Sequence, residues 1–273
     1  YITAHSKLNN GYKISLEETI EEVDELQDIT DEYVKTVLET AKVDKTGLNI
    51  SSSSEVPSET GLGSSGSFTV ALLKTVEVWT PEDSDRKELA EKAFDIEHDL
   101  LGKPCGKQDQ YASAFGGLKR LQIDKNGEAS IEELDVNAES MRKLEDRLML
   151  FYTEERRYSE DVLEEQKREM DRDYSKKEKM NKIKEIGTEI RKALENGDIS
   201  EYGELLHRHW ETKKNFTEKM TNPNIDRMYS DALDKGAEGG KIVGAGGGGF
   251  LMLFAETEHH DEIKKTMRNH NAK

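Results

Sequence analysis

The chain opens on an alternation, with Tyr1, Thr3 and His5 on one side and Ile2 and Ala4 on the other, which predicts that it begins inside a β-strand. Between residues 30 and 43 the period becomes helical, and Val34, Val37, Leu38 and Ala41 share a face. LNISS (48–52) reads as a short strand. A Gly/Ser-rich turn follows it and leads into a helix of roughly 15 residues from about Ser64, carrying Val70, Ala71, Leu72 and Val76. Pro81 to Leu101 predicts another amphipathic helix, opened by TPEDS with Thr80 as cap and Pro81 at the first helical position. The segment 118–133 predicts a hairpin, turned at Asn126-Gly127. LMLFY (148–152) reads as a buried strand, and 158–216 as long, charged helix with breaks near Tyr174 and at ENGDIS (195–200). After NPNID (222–226) come a short helix, the strand, glycine turn and strand of KIVGAGGGGFLMLFA (241–255), and a final helix towards Lys273. No internal repeat is present. A composition shift near 140–147 divides the chain into domains at 1–146 and 147–273.

Length and charge narrow the class. The 273 residues suffice for one large domain or two ordinary ones, either with a real core. No apolar run approaches the roughly 18 residues of a membrane helix and no secretory leader pattern opens the chain, so a cytoplasmic location without membrane partners is expected. The single cysteine, Cys105, cannot form an internal disulfide. A formal charge of −17 argues against sequence-independent nucleic-acid binding, which needs clustered Lys and Arg. The acidic run EETIEEVDELQD (17–28) reads as a solvated face. There is no initiator Met and the first residue already lies in a strand, so the segment is expected to be a trimmed portion of a longer protein.

Three stretches carry candidate chemistry. In PSETGLGSSGS (57–67), Gly61, Gly63 and Gly66 permit close backbone approach, and the loop empties into a helix N-terminus whose N–H groups and dipole favour an anion such as phosphate. Leu62, Ser64, Ser65 and Ser67 complete the loop, with hydroxyls where a Walker A loop places its lysine, and a serine oxygen also suits Mg²⁺. The alternative is a structural turn. In DIEHDLLGKPCGKQDQYAS (95–113), Glu97 projects from an apolar stripe formed by Ala93, Phe94, Leu100 and Leu101. It is then either a metal ligand or a buried, paired glutamate. Asp109 lies between Gly106 and Gly116 in what reads as a turn. The third stretch holds four consecutive glycines, 246–249, tightly flanked by apolar strands and so a turn that approaches a ligand or another loop rather than a linker.

In this order the three stretches resemble the motifs of the GHMP kinase superfamily. Pro57 to Ser67 matches the pattern P-x-x-x-G-L-G-S-S-[AG]-[SA] at nearly every place, and Lys241 to Phe250 resembles the family's third motif. Glu97 and Asp109 are similar in spacing to the acidic pair of the galactokinase type. GKQDQYASAFGGL, FYTEERRYSEDVLEEQ, LLHRHWETKKNF and the segment from Asn222 to Phe254 are similar to the sugar 1-kinase branch that acts on D-glycero-D-manno-heptose 7-phosphate. The resemblance implies an α+β, two-layer fold with a ribosomal-protein-S5-like N-terminal domain and a ferredoxin-like C-terminal one. It implies ATP and Mg²⁺, a small-molecule sugar or sugar phosphate as partner, and leaves a homodimer open. Gly61 to Ser67 would wrap the ATP phosphates, Ser65 and Glu97 would hold Mg²⁺, and Asp109 would take or steer the proton of the anomeric hydroxyl. Gly244 to Gly249 would buttress the loop, with Gly246 and Gly247 lining the sugar site. Arg157 would touch a substrate phosphate or stand solvated at a helix start. Trp210 and Lys213 match the pattern too, and packing suits them. The family's first motif, expected before Tyr1, and its last strand, expected after residue 270, are absent. A galactokinase-like or other small-molecule kinase, and a non-catalytic sugar and ATP sensor, remain alternatives.

Overall fold

Four strands, β1 (Ile2–Ser6), β2 (Tyr12–Ser15), β3 (Ile20–Val23) and β4 (Leu48–Ser52), form a sheet of order β1-β4-β2-β3 in the computed structural model. β4 lies antiparallel to β1, with Ala4 opposite Ile50, and parallel to β2, with Ile14 opposite the same Ile50. The structure describes every residue except Leu8, Glu18, 44–46, Glu59, Pro81 and 156–158. The chain divides into two compact units, residues 1–58 with 63–131, and 59–62 with 132–273.

In the first unit the helical face expected over 30–43 is α1 (Glu32–Thr40), where Asp31 caps the amide of Val34 and Val34, Val37 and Leu38 are buried. They pack with Ile14, Ile50, Leu72 and Val76 into one core. α2 (Ser64–Glu77) follows the Gly/Ser turn as expected. The acidic run is not only a solvated face. β3 is an exposed edge strand within it, and the Glu21 carboxylate accepts hydrogen bonds from the Thr30 amide and hydroxyl at 3.0 and 2.7 Å.

The structure departs from the sequence pattern at the start of α3, along its apolar stripe and at Asp109. α3 (Arg86–Asp95) starts well after Thr80, because Asp85 and Glu88 form a reciprocal capping box that outcompetes the Thr-Pro signal. The helix then widens into a π-turn over Ile96–Leu100. That turn rotates the later residues off the apolar stripe, so Glu97 stays 1% exposed while Leu100 is 60% exposed. Asp109 lies in no turn: α4 (Gln108–Phe115) places it in a helical first turn, where a carboxylate suits the dipole, and Gly116 at φ 63° stops the helix. The expected hairpin is β5 (Lys119–Ile123) and β6 (Ala129–Glu133), with Gly127 in the left-handed region at φ 83°.

In the second unit α5 (Ala138–Arg147) occupies the stretch whose composition shift marked a boundary; a domain division at 146/147 stays a proposal. β7 (Leu148–Tyr152) is an edge strand, so it alternates instead of being buried throughout, with Met149 and Phe151 inside and Leu150 49% exposed. The charged helical region resolves into α6 (Ser159–Arg172), α7 (Tyr174–Asn196) and α8 (Ile199–Lys213), broken where expected; Gly197, at φ 77°, ends α7. α9 (Pro223–Asp234) is capped by Asn222, and α10 (His260–Asn269) closes the unit. β8 (Ala237–Ile242) and β9 (Phe250–Ala255) complete an antiparallel sheet of order β7-β9-β8, with Met149 opposite Leu253 and Ile242 opposite Leu251. Trp210 of α8 joins Ile225, Met228, Leu251, Leu253 and Ile263 in its core. The approach of α8 to β8 is close: a Cβ on Gly239 would sit 2.1 Å from the Gly203 carbonyl oxygen.

Candidate functional site

The site in the first unit starts from what α2 lacks. Helices α1, α3 and α9 begin with an Asp or Asn side chain that takes up first-turn amides, whereas α2 begins with Gly63, in the left-handed region at φ 71° and without a capping side chain. The N–H groups at its start are left for an external acceptor, and no acidic residue in the first turn competes for them. Ser65 and Ser67 are exposed there, Ser64 is half-buried, and the Ser67 hydroxyl donates to the Ser64 carbonyl at 3.1 Å.

Asp109 comes against this turn because two positions have no side chain. A Cβ on Gly63 would lie 3.1 Å from the Asp109 Cγ, and one on Gly66 would lie 2.9 Å from the Asp109 Cβ. Glu97 arrives from the π-turn and its Oε1 accepts a hydrogen bond from the Gln110 Nε2 at 2.8 Å. Burial pushes the Glu97 carboxyl above the usual range; bonds from Gln110 and Ser65 pull it down, and the Asp109 charge pushes it up again. Burial also raises Asp109, against a bond from Gln108. The same surroundings push the Cys105 thiol up to about 12, first by burial and then by the charges of Glu97 and Asp109, so it stays protonated and unreactive.

A buried and a half-buried carboxylate side by side, with no cationic partner among the described residues, are what a divalent cation would satisfy. Gln110 adds an enclosed Oε1 that accepts no hydrogen bond. Among the described residues no three His, Cys, Asp or Glu side chains converge, so such a cation would draw its remaining oxygens from water and a bound phosphate, as Mg²⁺ commonly does. Gln110, and Thr69, which hydrogen-bonds the Glu97 carboxylate and whose hydroxyl reaches the Ser65 carbonyl at 3.0 Å, went unassigned in the sequence. The available signals were the position of Thr69 four residues after Ser65, and the helical turn that swings Gln110 away from Asp109 and towards Glu97.

The second unit holds the start of the Gly/Ser loop. Gly61, at φ 83°, packs so closely on the glycine turn that a Cβ there would lie 2.6 Å from the Val243 carbonyl oxygen. A Cβ on Gly249 would lie 2.1 Å from the Thr60 carbonyl oxygen, which also accepts from the Phe250 amide at 3.3 Å. The turn therefore braces residues 60–61 backbone to backbone, and the hydroxyl of Thr153 braces the turn in return, donating to the Gly249 carbonyl at 2.9 Å. Gly246 and Gly247 lie against Met220, and the Gly247 amide donates to the Met220 carbonyl at 2.8 Å. Trp210 is a core residue. The Nζ of Lys213 donates to the Gly244 carbonyl at 2.7 Å. Arg157 lies outside the described residues.

An uncapped, glycine-started helix with hydroxyls in its first turn, beside a carboxylate pair, is an arrangement whose chemistry suits a phosphate and a divalent cation side by side. Two family models match the chain: GHMP kinases N terminal domain over residues 31–117, and GHMP kinases C terminal over residues 190–273. The chain belongs to the GHMP kinase family. It is 32% identical over 215 residues to a D-glycero-alpha-D-manno-heptose 7-phosphate kinase of Campylobacter jejuni, an alignment covering 79% of this chain and 63% of that protein. It is 27% identical over 238 residues to a galactokinase of Pyrococcus furiosus, covering 78% of this chain and 65% of that one. Among solved structures, a D-glycero-D-manno-heptose 1-phosphate kinase from Bacteroides thetaiotaomicron superposes with a TM-score of 0.80 at 24% identity, over 99% of this chain and 81% of that chain. A Lactococcus lactis galactokinase complexed with galactose gives 0.72 at 19% identity, over 98% and 82%. These likenesses establish the α+β GHMP kinase fold. No helix among the described residues is long and apolar enough to cross a membrane.

Proposed function

We propose that the protein transfers the γ-phosphoryl group of ATP to the anomeric hydroxyl of a sugar phosphate, with D-glycero-D-manno-heptose 7-phosphate the first candidate. The observation that carries this reading is the convergence of Asp109, Glu97 and the uncapped start of α2 on one turn. Phosphoryl transfer asks little covalent chemistry of a protein, which mainly positions groups and stabilises charge. The amides and hydroxyls of Gly61 to Ser67, Leu62 included, would hold the ATP phosphates, with the dipole of α2 adding a favourable field. Ser65 and Glu97 would hold Mg²⁺, which when bound supplies charge neutralisation on the phosphate oxygens. Gln110 holds the Glu97 carboxylate in place. Asp109 would accept the proton of the acceptor hydroxyl, and its upward shift makes it a stronger base than a solvated aspartate. Gly246, Gly247 and Arg157 are proposed on the acceptor side.

The deciding experiment is ADP release, measured with ATP, Mg²⁺ and a panel of heptose 7-phosphate, galactose, other free sugars and mevalonate. Turnover selective for heptose 7-phosphate supports the proposal. Selectivity for galactose or mevalonate overturns the acceptor, and ATP binding without ADP release from any acceptor identifies a sensor.

A further inference from the structure

The second unit contains a basic cluster that the roles above leave unused. Lys241 lies on β8 and is half-buried towards α8, and its ammonium has no hydrogen-bond or acid partner among the described residues. Lys213, the last residue of α8, is half-buried beside it and spends one N–H on the Gly244 carbonyl at 2.7 Å. His209, one turn earlier on α8, feels both lysine charges, and its Nδ1 is enclosed without a hydrogen-bond partner.

Of the acidic groups on α8 and β8, Glu211 pairs with Lys214 and Glu238 with Arg147, while Glu201 and Glu204 stand exposed. Like charges crowded under a helix repel unless an anion joins them. Burial, and then the charge of Lys241, push the Lys213 ammonium down to about 7, and burial with both lysines pushes His209 down to about 3. The cluster thus holds donors whose stable, fully charged form awaits a counter-ion. Two lysines, with a histidine behind them, match the multiple oxygens and double charge of a phosphomonoester better than a single carboxylate.

We propose that Lys213, Lys241 and His209 form an anion subsite beside the glycine turn that takes the phosphate group carried by the acceptor sugar. The assignment of source rests on the sugar-phosphate reading above; the affinity of the cluster for phosphate does not.

Two measurements on the full chain separate these claims. In the first, inorganic phosphate is titrated by calorimetry with ADP and Mg²⁺ present to fill the nucleotide site, and sodium chloride holds ionic strength constant. Lys241→Met, which keeps an unbranched stem and removes the charge, should weaken phosphate binding about 10–100-fold, the range for one lost charged hydrogen bond. Lys213→Gln, which can still donate to Gly244, should do the same, and circular dichroism melting checks that both variants fold. Equal binding by wild type and both variants, or no phosphate binding by wild type, overturns the subsite. In the second, kcat/KM is compared for a sugar phosphate and its unphosphorylated counterpart. Preference for the phosphorylated acceptor should fall about 10–100-fold in Lys241→Met. An unchanged preference overturns the acceptor phosphate as occupant. Absence of turnover with every acceptor counts against the kinase reading, and the phosphate titration still decides the subsite.

Discussion

Asp109 and Glu97 have the same chemistry and different surroundings, and the surroundings separate their proposed roles. Glu97 is 1% exposed and tethered by Gln110, which suits a fixed ligand; Asp109 is half-buried against two glycines and tethered less, which suits a base that must meet a substrate. Replacing Asp109 with Asn should lower kcat by roughly 10²–10⁴ and leave ATP affinity nearly unchanged, as read from steady-state kinetics and nucleotide titration. Turnover equal to wild type would remove Asp109 from the chemistry. Burial raises both carboxyl groups, so the folded protein holds these protons more tightly than the unfolded chain does. Their stabilising contribution is therefore complete below the ordinary carboxylate range and is lost as pH rises through the raised values. At neutral pH the ionised pair is a standing cost. Without Mg²⁺, Glu97→Gln should melt at or above wild type at pH 7, with any advantage shrinking towards pH 4, while its nucleotide-dependent Mg²⁺ requirement rises. A lower melting temperature at pH 7 with an unchanged Mg²⁺ titration would make Glu97 a structural residue.

The loop and the glycine turn work through backbone, and this is where substitution costs are most sharply separated. Gly61 has a positive φ and a carbonyl oxygen 2.6 Å from where its Cβ would be, while Gly106 has open space around it and no positive φ. Gly61→Ala should destabilise by about 1–2 kcal/mol from the left-handed backbone, with more from the collision. Gly106→Ala should stay within about 0.5 kcal/mol of wild type in denaturant unfolding. Equal costs would mean that the glycine turn does not brace the loop. The same contrast explains which elements could be read early. α1, α2 and β4 carry strong apolar periods and appear where expected, and the Asp85–Glu88 capping box beside Thr80-Pro81 shows how one start signal overrides another. The short strands β2 and β3, and α4 between flanking glycines, have too few apolar positions to declare a period.

Among the described residues the largest hydrophobic cores lie around Leu38, Ile50 and Leu72 and around Trp210, Ile225 and Leu253, with smaller clusters beside them, in a 273-residue chain with a modest apolar content of 34%. The chain carries a net charge of −17, and the half-buried Lys213 and Lys241 lie beside the glycine turn and form no surface stripe. Labelled duplex DNA should therefore show no measurable binding in fluorescence anisotropy at about 0.15 M salt. Saturable binding with a steep salt dependence would contradict that reading of the charge.

Periodicity and glycine placement were enough for the order of most elements, the glycine-led start of α2 and the family resemblance, because these depend on local backbone freedom and on spacing along one helix or strand. The distant encounters were not legible: Gln110 against Glu97, Asp109 against Gly63 and Gly66, Gly61 against Val243, and Lys241 beside Lys213 with no acid between them. Each joins residues brought together by packing, where burial sets the charge state and a missing side chain decides which backbone can approach. Spacing along the chain carries no trace of either effect.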